Sequence, residues 1–114
     1  MPEPPILLAK WYDYAKWIIA RVDSFPKNQR FIFGQRLAGH ALDIMELLVE
    51  AAYARDKAPL LHTANRKIEM LRWLVRMAKA QTLFKARQYE FSCERLEECG
   101  RMTGGWLKQA AGKL

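Results

Sequence analysis

Seven basic side chains stand between Leu60 and Tyr89: Arg66, Lys67, Arg72, Arg76, Lys79, Lys85 and Arg87, with Glu69 the one acid among them. That stretch carries +6 of the chain's formal net charge of +7. Most charge runs are solvated helix faces. This one lacks the acids that would relieve self-repulsion through i,i+4 pairs, so a surface for an anionic partner is expected. Guanidinium forks suit phosphate or carboxylate bidentately. On a helix, Arg72, Arg76 and Lys79 fall within a ~60° wedge. A second, smaller cluster is Lys27, Arg30 and Arg36 at the start of a helix, where free N–H groups also favour anions. Trp73 is assigned to an apolar stripe and no aromatic to the basic one. The expected mode is therefore phosphate-backbone binding, sequence-tolerant and steeply salt-dependent, rather than base stacking.

Other chemistry finds little support. The two histidines, His40 and His62, fall on different helices and neither has a partner at metal-ligand spacing. His62 reads as a solvated surface residue and His40 as a residue at the edge of the core. No Glu-x-x-His occurs, so a di-iron bundle is not indicated. Cys93 and Cys99 lie six residues apart, about 120° around a helix, and share neither a zinc nor a disulfide. Cys93 reads as a small core residue and Cys99 as a packing residue at the core's edge. No glycine-rich phosphate loop or nucleophile elbow is present. No catalytic residue, metal or cofactor is expected.

The elements that must position these residues are four long helices in one domain of 114 residues. Prolines divide the chain and no stretch alternates like a strand. The first helix is predicted over Ile6–Ser24, with a stripe of Leu8, Trp11, Tyr12, Ala15, Ile19 and Val22, ended by Phe25-Pro26. The second is predicted over Lys27–Arg55, with Leu37, Ala41, Ile44, Met45, Leu48 and Ala52 inward. The third is predicted over Leu60–Thr82. Its packing stripe is Leu71, Val75, Ala78 and Thr82, and Met70, Trp73, Leu74 and Met77 form a second stripe on roughly the opposite side. A helix apolar on two sides needs two partners, so the second stripe is expected to be an oligomer interface. The fourth is predicted over Lys85–Ala110, with Tyr89, Cys93, Leu96, Gly100, Thr103 and Leu107 on one face. Gly104-Gly105 weakens it by about 1 kcal/mol per residue relative to Ala and marks a kink or an end. Short connections between such helices give an all-α, up-down-up-down four-helix bundle. Trp11, Leu37, Ile44, Leu48, Leu71, Val75, Tyr89 and Leu96 are its predicted core.

Composition sets the remaining bounds. An apolar fraction of 51% excludes disorder. Charges interrupt every apolar run, so no membrane span is expected. The opening Met-Pro-Glu-Pro-Pro has neither a basic n-region nor a long apolar segment. A cytoplasmic protein with reduced cysteines is expected.

Two segments are familiar. Phe25-Pro26-Lys27-Asn28-Gln29-Arg30-Phe31 joins the first two helices. Gln88-Tyr89-Glu90-Phe91 and Glu98-Cys99-Gly100-Arg101-Met102-Thr103-Gly104-Gly105-Trp106-Leu107-Lys108 fill the fourth. Together they resemble the accessory variability determinant proteins of diversity-generating retroelements. These belong to a wider four-helix bundle family that includes proteins encoded by intervening sequences of 23S ribosomal RNA genes. The first segment is shared with the wider family, and the Gly-Arg-Met-x-Gly-Gly-Trp-Leu-Lys tail is the more specific mark. Thr103 departs from the pattern, standing where a larger aliphatic residue is expected. The resemblance implies a non-enzymatic, homopentameric barrel with a basic surface. It implies binding to the retroelement reverse transcriptase and to template RNA, with DNA as a further possible ligand, in support of mutagenic cDNA synthesis. It puts partner contacts at Arg72 and Arg76, with Lys79 one turn on. The alternative is a stand-alone RNA-binding bundle of the ribosomal intervening-sequence type.

Overall fold

The structure is a computed structural model that describes residues 5–112. Its helices are α1 (Pro5–Asp23), a single turn α2 (Lys27–Gln29), a π-helical segment (Arg30–Gly34), α3 (Gln35–Tyr53), α4 (Ala58–Ala80) and α5 (Ala86–Ala111). The α2 turn, the π segment and α3 follow without a break, so the long helices number four, and there is no strand among the described residues. The helices form a rod of 47 × 21 × 19 Å. α1 packs on α3 and α5, and α4 packs on the same two, so each helix has two neighbours around one core. Lys10 meets Glu98, Tyr14 meets Ser92 and Trp17 meets Phe91, so residue number rises along α1 as it falls along α5. That antiparallel order is the up-down-up-down arrangement expected from short connections.

The core is a continuous column of buried aliphatic and aromatic side chains. α3 contributes Leu37, Ala41, Ile44, Leu48 and Ala52 as its spacing predicts, with Met45 half-buried beside them. α4 contributes Leu61, Ala64, Ile68, Leu71, Val75 and Ala78. Leu96 of α5 and Trp11 of α1 complete the correct part of the predicted core.

Two stripes differ from the sequence reading. On α1, Leu7, Tyr14 and Ile18 are buried with Trp11 and Ala15, while Tyr12 and Ile19 are exposed. The apolar arc of this helix, opposite Lys10, Asp13, Lys16, Arg21 and Asp23, is wider than the core covers, and periodicity alone does not choose its inward part. Polar satisfaction contributes to the choice: the Trp11 Nε1–H donates to the Ala41 carbonyl at 2.9 Å, and the Tyr14 hydroxyl shares a 2.8 Å hydrogen bond with Ser92. On α5 the buried residues are Ser92, Leu96, Cys99, Thr103 and Trp106. Tyr89 is therefore only half-buried, and the two cysteines exchange roles, Cys99 being buried and Cys93 half-exposed. The helix is rotated by about 60° from the predicted face, bringing the Ser92 hydroxyl to Tyr14 inside the bundle. Thr103 is buried as predicted and donates to the Cys99 carbonyl at 2.8 Å. Burial pushes the Cys99 thiol up to about 11.

The connections show how the helices are fixed. Val22 of α1 crosses so close to Gly34 that a Cβ there would lie 2.6 Å from its Cγ1, which explains the glycine in the π segment. Lys57 reaches back across the α3–α4 turn and donates to the carbonyls of Ala51, Ala52 and Ala54 at 2.9, 3.3 and 2.8 Å, satisfying the orphan acceptors of the α3 C-terminus. α4 ends at Ala80 rather than at Thr82. The Thr82 and Leu83 N–H groups bond back to the Lys79 and Ala78 carbonyls, a Schellman closure with Thr82 at φ 60°. α5 runs without interruption through Gly104 and Gly105, because both sides of that stretch are held by the buried Thr103 and Trp106.

Candidate functional site

α4 presents three faces: the core stripe, a basic face and a second apolar face. At 100° per residue, the second apolar stripe lies about 120° from the core stripe rather than opposite it. The basic wedge occupies the arc between them on the other side. Trp73 projects about 60° from Arg76 and about 40° from Met77, on the boundary between the basic and apolar faces.

The basic side borders a groove between α4 and α5 of about 270 Å³, lined by Glu69, Arg72, Trp73, Arg76, Tyr89 and Cys93. Val75 and Leu96, both buried, form its floor. Arg72 Nη1 is 3.8 Å from the Glu69 carboxylate, a long surface contact that contributes little. Among the described residues no carboxylate pairs with Arg76 or Lys79. Each instead lies by an aromatic ring. The Arg76 guanidinium is 5.2 Å from the Trp73 ring centre and the Lys79 ammonium is 6.0 Å from that of Tyr89. The Tyr89 phenol is held above its usual range by hydrogen bonding to the Cys93 side chain and by partial desolvation, against the opposing Arg76 charge. It stays a neutral ring beside two cations. Aromatics thus stand within the basic stripe, contrary to the sequence reading. Helical spacing groups Trp73 with the methionines, although it also stands three residues from Arg76 on the same helix, and places Tyr89 in the core. The docking of α5 on α4 turns Tyr89 toward the basic side.

The apolar side borders a second groove, between α3 and α4, of about 340 Å³ lined by Arg36, His40, Met70, Trp73, Leu74 and Met77. Met70, Trp73 and Met77 are exposed and Leu74 is half-buried. All four predicted interface residues therefore share one surface, with Trp73 common to both grooves. Sequence reasoning missed a further stripe. Leu42, Val49 and Tyr53 are exposed on the outward face of α3, at spacings of seven and four.

The second basic cluster does not stay together. Lys27 lies in α2 and Arg30 in the π segment, at the end of the bundle where Phe25 meets Phe84 edge-on at 5.5 Å. Arg36 lies on α3 and lines the apolar groove. In its place the bundle end gathers Arg21 and Lys85 around a polar groove. Arg21, 5.7 Å from the Trp17 ring centre, was not picked out by the sequence because it belongs to a different helix from the basic run.

Among the described residues, no group of three or more His, Cys, Asp or Glu side chains gathers to hold a metal. His40 is half-buried, with Nδ1 3.1 Å from the Arg36 carbonyl, and His62 is exposed. No helix among the described residues is long and apolar enough to cross a membrane.

A bundle of this shape, with a basic face and the Gly-Gly-Trp tail inside its last helix, has a counterpart among known families: the family model described as bAvd-like matches residues 6–110. The chain belongs to the bAvd-like family. No curated protein matches it. bAvd-like proteins are bacterial accessory variability determinants, the accessory and non-catalytic proteins of diversity-generating retroelements. Membership associates this bundle with the retroelement machinery. It also accounts for the family-like segments, which lie in the junction between α1 and α3 and along α5.

Proposed function

We propose that this bAvd-like bundle binds its retroelement's reverse transcriptase and template RNA through the basic face of α4, as a homo-oligomer, and so supports mutagenic cDNA synthesis. One observation carries the reading: within a stretch holding +6 of the net +7, Arg76 and Lys79 have no acid partner among the described residues, and Arg76 borders an open groove. A surface so charged and unpaired is matched by phosphate or by an acidic protein face. Lys27, Arg30 and Arg36 are secondary contributors, spread over the bundle end and the α3–α4 groove.

The assembly proposed is a ring of five in the cytoplasm, closed by one repeated head-to-tail contact. Such a contact needs two different patches on each subunit. Met70, Leu74 and Met77 supply one, with Trp73 at the edge of that stripe toward the basic groove, and Leu42, Val49 and Tyr53 are suited to be the other.

The test is co-expression with the reverse transcriptase of the same retroelement. The wild-type bundle should co-purify with the polymerase and its template RNA. Arg72→Ala with Arg76→Ala should keep the fold and the oligomer, since neither residue is on the core stripe or the apolar stripe, and should lose partner binding and cDNA synthesis. A double variant with full affinity and full synthesis would refute the assignment. RNA binding with no co-purification of the polymerase would favour the stand-alone ribosomal type.

A further inference from the structure

We infer that the α4–α5 groove is a stacking site for single-stranded nucleic acid, in which Trp73 receives an unpaired base while Arg72 and Arg76 hold the neighbouring phosphates. The inference rests on the nucleic-acid reading above and makes it specific: the ligand is a single strand, contacted through its bases as well as its backbone.

Three observations support it. First, Trp73 is 61% exposed, a large apolar ring left in water on the rim of a basic groove. Arg76 lies against this ring at 5.2 Å, so a base stacking on Trp73 arrives beside a guanidinium that reaches its phosphate. Second, Tyr89 lines the same groove from α5, with Lys79 6.0 Å from its ring centre. Two cation–aromatic pairs from two helices therefore flank one channel. Stacking platforms alternating with phosphate-binding cations are the chemistry by which single strands are held without sequence preference. Third, the groove rests on the fully buried Val75 and Leu96, so its base is core packing and its charge is carried at the rim. A duplex presents backbone here, but its bases are already stacked and do not reach Trp73. A second protein copy seated on this side of the ring would strip water from Arg76, which has no acid partner among the described residues. Met70, Leu74 and Met77 face away from the groove and stay free for assembly.

The full chain is titrated with an oligothymidylate single strand and with a duplex of equal length, following tryptophan fluorescence. Trp11 and Trp106 are buried and Trp17 is half-buried, so quenching by ligand reports mainly on Trp73. The single strand is expected to quench and the duplex to leave the signal nearly unchanged. Trp73→Ala should weaken single-strand binding roughly 5- to 100-fold and leave duplex binding unaltered. Trp73→Phe should keep most of the affinity and abolish the quench. Equal effects of Trp73→Ala on both ligands, or no effect on either, overturn the stacking role while the backbone reading stands. A fall in sedimenting mass for Trp73→Ala, or loss of the polymerase with single-strand affinity intact, assigns the ring to a protein contact and also overturns it. Arg72→Ala with Arg76→Ala should weaken both ligands together. Undiminished binding of both by that variant removes the underlying nucleic-acid reading instead.

Discussion

Removing the hydroxyl of Tyr14 tests whether a buried polar pair selects the inward faces of α1 and α5. Tyr14 and Ser92 are 1% and 0% exposed and bonded at 2.8 Å. The Tyr14 ring packs against Trp11 and Trp17, with centres 5.2 and 5.9 Å apart, so Tyr14→Phe keeps the packing and removes one oxygen. Ser92 is then left without its partner, but a helical serine can turn to the carbonyl four residues back. The expected loss is about 1 kcal/mol. Ser92→Ala strands the phenol hydroxyl, which has no such local alternative, and about 2–3 kcal/mol is expected. The double variant leaves no polar group behind and should cost less than Ser92→Ala alone. Urea unfolding at one fixed protein concentration, needed because assembly shifts apparent stability, measures all three. Strictly additive losses would refute the reasoning. Alkaline pH gives an independent check. Burial, only partly offset by the Ser92 hydrogen bond, holds the Tyr14 phenol well above its unfolded value of 10.0. The folded state therefore keeps its proton longer. This stabilisation is fully present below about pH 10 and declines above it, by about 1.4 kcal/mol per pH unit for one group. Tyr14→Phe should remove that part of the slope.

Four further outcomes follow from the packing. Leu48→Ala removes a fully buried side chain of α3 and should cost about 2–5 kcal/mol, read by the same unfolding assay. Thr82→Gly relieves a β-branched residue at φ 60° in the Schellman closure and should stabilise by about 1 kcal/mol, seen as a raised Tm. Gly104→Ala should also stabilise, by up to about 1 kcal/mol, since a Cβ there meets nothing within 4 Å. A loss of stability would show that the position is packed in the assembly. Sedimentation equilibrium should give a mass above that of one chain, and Met70→Glu with Met77→Glu should return it to the monomer without unfolding the bundle.

The number of helices, their approximate limits and the inward face of α3 were legible in the sequence. Proline placement and a clean apolar period leave few alternatives there. The charge bias toward α4 was equally plain, because charge is a property of composition. The inward faces of α1 and α5 were not legible. α1 has an apolar arc wider than the core covers, and α5 buries Ser92, a residue that periodicity leaves off its apolar face. Their faces depend on which hydroxyl meets which partner across the bundle, a contact between residues 78 positions apart in the case of Tyr14 and Ser92. The candidate site divides in the same way. Arg72, Arg76 and Lys79 follow from spacing within one helix. Trp73 beside Arg76 is likewise a within-helix i,i+3 neighbour, whereas Tyr89 joins the basic groove only because α5 packs against α4.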